Sequence, residues 1–347
     1  MAIPSRKVIV TTRTLAALAV GVCLIGARPQ AVEARDLKDG IAPFSQSLME
    51  QLRARKFAEL EQTESQLRKT KARFPGGDWQ LHHFYEALGG GLIQSNSVAI
   101  QSDWTELIDL LKEWRTASPQ SGVPALLLAA TYTKYGWDAR TSKRPEQVSQ
   151  SQFDTFHDRL NQGAFYLNEG RRLLSDNPHW FVIALQIARG QGWEKSRTHT
   201  LFNQAVALEP LYQHSYSMMA LYLLPRWYGD EGEWEIFADE ATGRVGGQPG
   251  SAIYHHIIVR MSQMHEWDEM FGDNDVTWAR IQSSFAAREQ LYGEGREAVN
   301  AMCWLAGAAG DTEAARALMK RIDGDWDQNV WRTRQRFDDY QKWLKRP

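Results

Sequence analysis

Apolar residues recur at helical spacing along almost the whole chain, and no segment alternates apolar and polar residues as a half-buried strand does. The clearest example is residues 103–117, where Asp103 and Glu106 have the spacing of a helix-capping pair. The apolar positions that follow are three and four residues apart and form one stripe: Trp104, Leu107, Leu110, Leu111 and Trp114. This periodicity predicts an all-α fold.

The same pattern predicts fifteen helices, many of them separated by glycine or proline. In about seven antiparallel pairs, they are typical of an α-solenoid, in which each pair covers the apolar face of the pair before it. The predicted spans are 43–54, 56–73, 79–88, 104–117, 123–138, 151–174, 179–190, 196–208, 212–224, 231–242, 251–264, 275–291, 296–309, 312–322 and 328–344.

Residues 1–34 have the layout of a secretory signal peptide. Basic residues precede an apolar run at 15–27, which is shorter than the roughly 20 residues that span a bilayer. We therefore expect an exported protein, periplasmic or secreted, without a stable transmembrane span after cleavage. The folded domain would be residues 35–347, with a possible sub-boundary at the variable segment 141–152. The alternative is a lipoprotein or an uncleaved anchor, because Cys23 lies within the run.

Charge and cysteine content restrict the function further. The chain has 40 basic and 42 acidic side chains, which excludes a general nucleic-acid binder because such a protein shows a basic excess. Only Cys303 remains beyond the signal segment, so no intramolecular disulfide can form. Its apolar neighbours predict a buried side chain rather than a reactive thiol.

One segment, FNQAVALEP at 202–210, resembles the end of a tetratricopeptide (TPR) repeat. Phe202, Ala205 and Pro210 have the aromatic, small-residue and proline spacing of that family. In such a repeat the small residue lets two helices approach closely, and proline ends the second helix. We therefore expect Phe202 and Ala205 to be buried against the helix predicted at 179–190.

A wider resemblance covers roughly residues 45–325. The segments YTKYGWDAR (132–140), ARGQGW (188–193) and LLPRWYGDEGEWEIFADEA (223–241) follow one another in an order similar to an exported bacterial TPR-like family of unknown function. The resemblance implies a TPR-like right-handed α-α superhelix. It implies no reaction.

The histidines and carboxylates do not form a recognisable catalytic or metal motif. His82 and His83 are adjacent, as are His255 and His256, and neighbours on a helix point about 100° apart, so neither pair chelates a metal alone. The sequence predicts histidines at packing edges and acidic residues at helix starts. No nucleophile motif or phosphate loop is present in the sequence, so we expect no cofactor, no metal and no catalytic residue, and enzyme activity stays open.

The most specific local feature is a mixture of aromatic and charged residues near predicted helix ends. It has two interpretations: a ligand groove with aromatic walls and a cationic rim, or helix corners closed by tryptophan and ion pairs. The candidate groove residues are Tyr132, Lys134, Trp137, Asp138, Arg140, Arg189, Trp193, Arg226 and Trp227.

Together these features predict a non-catalytic, exported scaffold or adaptor that binds a protein or peptide segment in its concave groove. The alternative is an envelope enzyme or a glycan-binding module built around Trp137 and Trp227. The sequence does not determine the oligomeric state.

The first prediction concerns processing. Exported protein should begin near Arg35, because the small residues at 32 and 34 fit the specificity of signal peptidase. N-terminal sequencing of the exported chain checks this. A chain that begins at Met1 or Cys23 would contradict it.

Overall fold

The computed structural model describes residues 39–93, 100–141, 143–264, 270–271 and 276–346. The described part contains α-helices and no β-strand, as the periodicity predicts. The helices are α1 Ile41–Arg53, α2 Phe57–Thr70, α3 Gln80–Glu86, α4 Ile100–Ala117, α5 Val123–Arg140, α6 Gln150–Leu173, α7 His179–Gln191, α8 Lys195–Leu208, α9 Gln213–Tyr222, α10 Glu233–Val245, α11 Gly247–Ser262, α12 Trp278–Tyr292, α13 Arg296–Ala308, α14 Thr312–Ile322, α15 Gln328–Trp331 and α16 Arg334–Leu344.

The helices pack in an order that follows the chain. Consecutive helices pack together, most extensively α5 with α6, α11 with α12 and α13 with α14. Alternate helices also touch, so that α3, α5, α7, α9, α11 and α13 form a continuous series, here called the inner row. The inner row is the most apolar part of the chain, and α5, α7 and α13 are buried over most of their residues. A helix buried on several faces must be apolar on several faces, which explains their composition.

The segment between α2 and α3 connects the beginning of the inner row to its end. Gly76 donates its N–H to the carbonyl oxygen of Tyr292 at 3.0 Å. Gly76 has φ +85°, and a Cβ there would lie 2.5 Å from the Cα of Gly295, so only glycine fits this approach. The Asp78 carboxylate lies 3.9 Å from the Arg288 guanidinium. These contacts place the segment before α3 against α12 and the start of α13, while α3 itself packs on α5 and α7.

The structure differs from several predicted helix boundaries, and two of these differences change the role of a named residue. Helix α4 begins at Ile100, so Asp103 lies within its first turn and is not its N-cap. The single helix predicted at 328–344 is two helices, because Arg332 has φ +62° and ends α15. Asp327 caps α15 and Thr333 caps α16 through side-chain hydrogen bonds to backbone N–H groups. A capping residue marks the start of a helix, so Asp327 and Thr333 together indicate that this stretch of sequence forms two helices.

Several sequence predictions fall on residues outside the described ranges. They are the signal peptide at 1–34, the boundary at 34/35, and the residues at 265–269 and 272–275. The variable segment at 141–152 separates α5 and α6, which pack along each other. In the described part of the chain, no helix has the length and apolarity needed to cross a bilayer. Cys303 is buried in α13, as predicted.

Phe202 and Ala205 are both buried in α8, each 2% exposed. The aromatic neighbours of Phe202 are Tyr216 on α9, with ring centroids 5.3 Å apart, and Phe237 on α10, at 5.1 Å. Helix α8 packs on α7 and on α9. The predicted burial is therefore correct, and the ring of Phe202 also links α8 to the following two helices.

The second prediction follows from this burial. Phe202→Ala should lower the free energy of unfolding by about 3–5 kcal/mol, because it leaves a cavity between three helices. Gln204→Ala, at an exposed position of the same helix, should change it by less than about 0.5 kcal/mol. Urea denaturation followed by circular dichroism measures both. Equal effects would contradict the register of α8.

Candidate functional site

Four of the predicted groove residues meet near the C-terminal ends of α5 and α7, and we call them the arginine–tryptophan cluster: Trp137, Arg140, Arg189 and Trp227. The rings of Trp137 and Trp227 are perpendicular, with centroids 5.4 Å apart. The Cζ atom of Arg189 lies 4.6 Å from the centroid of Trp137 and 5.2 Å from that of Trp227. Arg140 approaches Trp227 from another direction, at 5.8 Å. Trp137 and Arg140 at the end of α5 thus meet Arg189 of α7 and Trp227, which follows α9, although these residues are far apart in sequence.

Two more predicted residues lie beside this cluster. Arg226 is exposed, and its charge lowers the pKa values of both Arg189 and Arg260. Lys134, one helical turn before Trp137 on α5, points to α3 and binds the Glu86 carboxylate at 3.0 Å.

The remaining three predicted residues have other surroundings. Tyr132 stacks on Tyr166 of α6. Trp193 lies under the Arg197 guanidinium at 3.4 Å and donates its N–H to Gln191. Burial raises the pKa of Asp138, and the Arg159 charge opposes that rise. These three residues therefore contact neighbours other than the four residues of the cluster.

Arg189 lies among other arginines. Burial, with smaller contributions from the charges of Arg260, Arg226 and Arg140, lowers the pKa of Arg189 to about 9, while Tyr228 opposes this shift. Within the described residues, no carboxylate lies within 4.0 Å of Arg140, Arg189 or Arg260. Like charges held together in this way attract an anion.

Three buried N–H groups of the same region lack an acceptor in the described structure: Nε of Arg189, Nε of Arg260 and Nε1 of Trp137. A buried donor without an acceptor costs about 1–3 kcal/mol, so such groups are usually satisfied by a partner. The cluster therefore offers unused hydrogen-bond donors as well as positive charge.

A polar cavity of about 430 Å³ lies between the helices of the inner row and α1, and we call it the histidine pocket. Its volume is in the range of small-molecule sites. Arg260 lines it, and connects it to the arginine–tryptophan cluster through the charge effects described above. The other titratable residues that line it are Asp78, His82, His83, Glu86, His214, His256 and Glu297.

The imidazoles of the pocket contact one another. The rings of His82 and His214 are parallel, with centroids 3.4 Å apart. His214 is perpendicular to His256 at 4.9 Å. His179, from the start of α7, lies 5.4 Å from His82 and its Nδ1 is 2.9 Å from the Tyr212 hydroxyl. Helices α3, α7, α9 and α11 each contribute histidine to this group.

Burial sets the protonation of these groups. It lowers the pKa of His179 to about 3 and that of His256 to about 4, and it holds the pKa values of His82 and His214 well below their usual range. These imidazoles are neutral at pH 7. Burial also raises the pKa of Glu297 to about 7, assisted by the negative charges of Asp327 and Asp78.

Glu86 behaves differently. Burial would raise its pKa, but the Lys134 ammonium, His179 and His83 together outweigh burial, and the net pKa is lowered. Glu86 is therefore a carboxylate at neutral pH. One ring nitrogen each of His82 and His179 and one oxygen of Glu86 lie within 4.8 Å of one another. This is a possible ligand set for a metal ion.

Sequence reasoning did not find this pocket. Adjacency along the chain pairs His82 with His83, whereas in the structure His82 also meets His179 and His214 from other helices. The available signal was the spacing of His82 and Glu86, since residues four apart share one face of a helix. The position of His179, 97 residues from His82, depends on the tertiary fold.

Comparison of the chain with models of known protein families, with curated proteins and with solved structures gives no match. The arginine–tryptophan cluster and the histidine pocket are therefore the features of the structure that bear on its function.

The third prediction concerns acid stability. His256 has an ordinary pKa of 6.5, which burial lowers to about 4 in the folded chain. Between these values the unfolded chain binds a proton that the folded chain does not, so stability falls as the pH falls, by about 1.4 kcal/mol per pH unit for this group. His256→Gln should make the decline between pH 6.5 and 4 shallower, as measured by urea denaturation. The exposed His157 gives the control: His157→Gln should keep the wild-type slope. Identical slopes for all three proteins would contradict the burial of a neutral His256.

Proposed function

We propose that the protein is a non-catalytic scaffold or adaptor that binds an acidic segment of a partner protein at the arginine–tryptophan cluster. The observation that carries this proposal is the concentration of guanidinium groups without a carboxylate within 4.0 Å of Arg140, Arg189 or Arg260 in the described structure. An acidic side chain from a partner would supply the missing charge and the missing acceptors.

The chemistry of the cluster suits carboxylates. Arginine presents a planar set of N–H donors that matches the two oxygens of a carboxylate, and its face stacks on aromatic rings. Trp137 and Trp227 support Arg189 in this way, with its Cζ 4.6 Å and 5.2 Å from the two ring centroids. Each charge-assisted hydrogen bond contributes about 1.5–3 kcal/mol when it forms away from water. Several acidic side chains on one segment would add their contributions.

The arrangement of the helices into repeats is also part of this proposal. We propose that the inner row corresponds to the first helices of TPR-like pairs in a right-handed superhelix of about seven pairs. The packing of alternate helices supports this, as does the FNQAVALEP segment within α8. Export of the chain to the periplasm or outside the cell, through the signal-like segment at 1–34, is part of the proposal.

A second candidate is an envelope enzyme or glycan-binding module around Trp137 and Trp227. The observation that favours an enzyme is Glu297, because a carboxyl group with a pKa of about 7 can donate and accept a proton at neutral pH. Glu297 lines the histidine pocket together with Arg260. Mass spectrometry of a probe peptide after incubation separates the candidates: an adaptor returns the peptide intact, and an enzyme returns products.

The fourth prediction tests the adaptor. A fluorescein-labelled decapeptide of glutamate should bind the full chain in an anisotropy assay, and binding should weaken with salt because it depends on charge. Arg189→Met keeps the packing on both tryptophans but removes the charge, and should weaken binding at least about tenfold, or about 1.4 kcal/mol. A decapeptide of glutamine should not bind.

A matched control is available in Arg197→Met. Arg197 also lies over a tryptophan, Trp193, but outside the cluster. This variant should bind the glutamate peptide as the wild type does. Equal losses in the two variants, or no binding by the wild type, would reject the proposal. Competition by citrate as strong as by the peptide would show that the site takes free small anions rather than a protein segment.

A further inference from the structure

We infer that His82, Glu86 and His179 form a binding site for a divalent transition-metal ion, and that Zn²⁺ is the ion that fits the ligand set best. This inference concerns the histidine pocket and does not depend on the adaptor function proposed for the arginine–tryptophan cluster.

The three ligands have the geometry of an almost assembled site. His82 and Glu86 are four residues apart on α3 and share one helix face, and His179 begins α7 opposite them. Their ligand atoms lie within 4.8 Å of one another. Ligands about 2.1 Å from a tetrahedral zinc ion are about 3.4 Å apart, so closure needs movements of about 1 Å or less. Side-chain rotation alone supplies movements of that size.

The donor types select the class of metal. Two imidazoles and one carboxylate suit zinc and its first-row neighbours, whereas Ca²⁺ and Mg²⁺ prefer sites made entirely of oxygen ligands. Three protein ligands leave a fourth position on the metal, as in zinc sites that bind water or a ligand. The adjoining cavity of about 430 Å³ provides room at that position.

Neighbouring side chains already hold two of the three proposed ligands in place. Nδ1 of His179 is hydrogen-bonded to the Tyr212 hydroxyl at 2.9 Å, which leaves Nε2 as its metal-binding atom. Metal-ligating histidines are usually fixed in this way through their other nitrogen. Lys134 binds Glu86 at 3.0 Å and holds the carboxylate in place. It also places a competing positive charge beside the site.

An independent observation comes from the other imidazoles. His214 lines the same pocket, is only 7% exposed, and its Nε2 has no hydrogen-bond partner. The buried Nδ1 of His82 and Nε2 of His83 also lack partners. A buried nitrogen atom without a partner is costly, and Nδ1 of His82 belongs to one of the three proposed ligands. The parallel ring of His214 also fixes the plane of His82.

The charge of the pocket favours a cation at this position. Asp78, Glu86 and Glu297 line the cavity, so three carboxyl groups border it. Zinc would gain from these carboxylates more than a singly charged ion of the same size, because the attraction scales with charge.

The fifth prediction is tested with Zn²⁺ itself. The full chain, freed of metal with EDTA and desalted, should bind one equivalent of ZnCl₂ in a calorimetric titration at pH 7.5. His82→Gln and Glu86→Gln should each weaken binding at least about a hundredfold. His157→Gln, which removes an exposed histidine of α6, should leave stoichiometry and affinity unchanged. No binding by the wild type, or equal binding by wild type and His82→Gln, overturns the inference.

A variant-independent measurement keeps the inference testable if a pocket variant does not fold. X-ray absorption at the zinc edge of the wild-type complex should show scattering from two imidazole rings. Co²⁺ in place of zinc should give the visible absorption bands of a four-coordinate ion with nitrogen ligands. A zinc shell of oxygen atoms alone, or a Co²⁺ spectrum like that of the aqueous ion, overturns the site.

Discussion

The contact of the segment at 71–80 with α12 and α13 is the constraint on which the histidine pocket depends. It consists of a backbone hydrogen bond from Gly76 to Tyr292, the Arg73 guanidinium over the Tyr292 ring at 4.7 Å, and the charges of Asp78 and Arg288. Because the segment leads directly into α3, the same contact sets where His82 lies. Without it, α3 would not share a cavity with α11 and α13. A local turn thus determines which distant helices face each other.

Burial of polar groups gives the two sites their opposite character. In the histidine pocket burial removes charge from imidazoles, because a neutral ring costs less than a cation in a low-dielectric interior. In the arginine–tryptophan cluster the charge remains, since even a pKa of about 9 leaves Arg189 protonated at neutral pH. One region therefore offers neutral lone pairs and the other offers cationic donors. Arg260 lines the histidine pocket, and its charge lowers the pKa of Arg189 in the cluster, so the two regions are electrostatically coupled.

Individual residues show which structural features the sequence predicts and which it does not. Phe202 and Ala205 were correctly predicted to be buried, because their spacing reflects local helix packing. Asp103 was wrongly predicted as an N-cap, since a capping pair in sequence does not reveal whether the preceding residues are also helical. The break at Arg332 is harder to predict, because a left-handed residue other than glycine carries little sequence signal and only the two capping residues, Asp327 and Thr333, indicate two helix starts.

The sequence by itself determined the all-α class, nearly all helix positions and the chemical types near the helix ends, because helical periodicity and capping are local. The sequence also indicated the four residues of the arginine–tryptophan cluster, but only among a longer list of candidate groove residues. Only the tertiary structure separated Trp137 and Arg189, which meet, from Tyr132 and Trp193, which pack elsewhere. Only the tertiary structure assembled the histidine pocket. The physical reason is that its members belong to different helices, and their proximity depends on how those helices pack, which no spacing along the chain records.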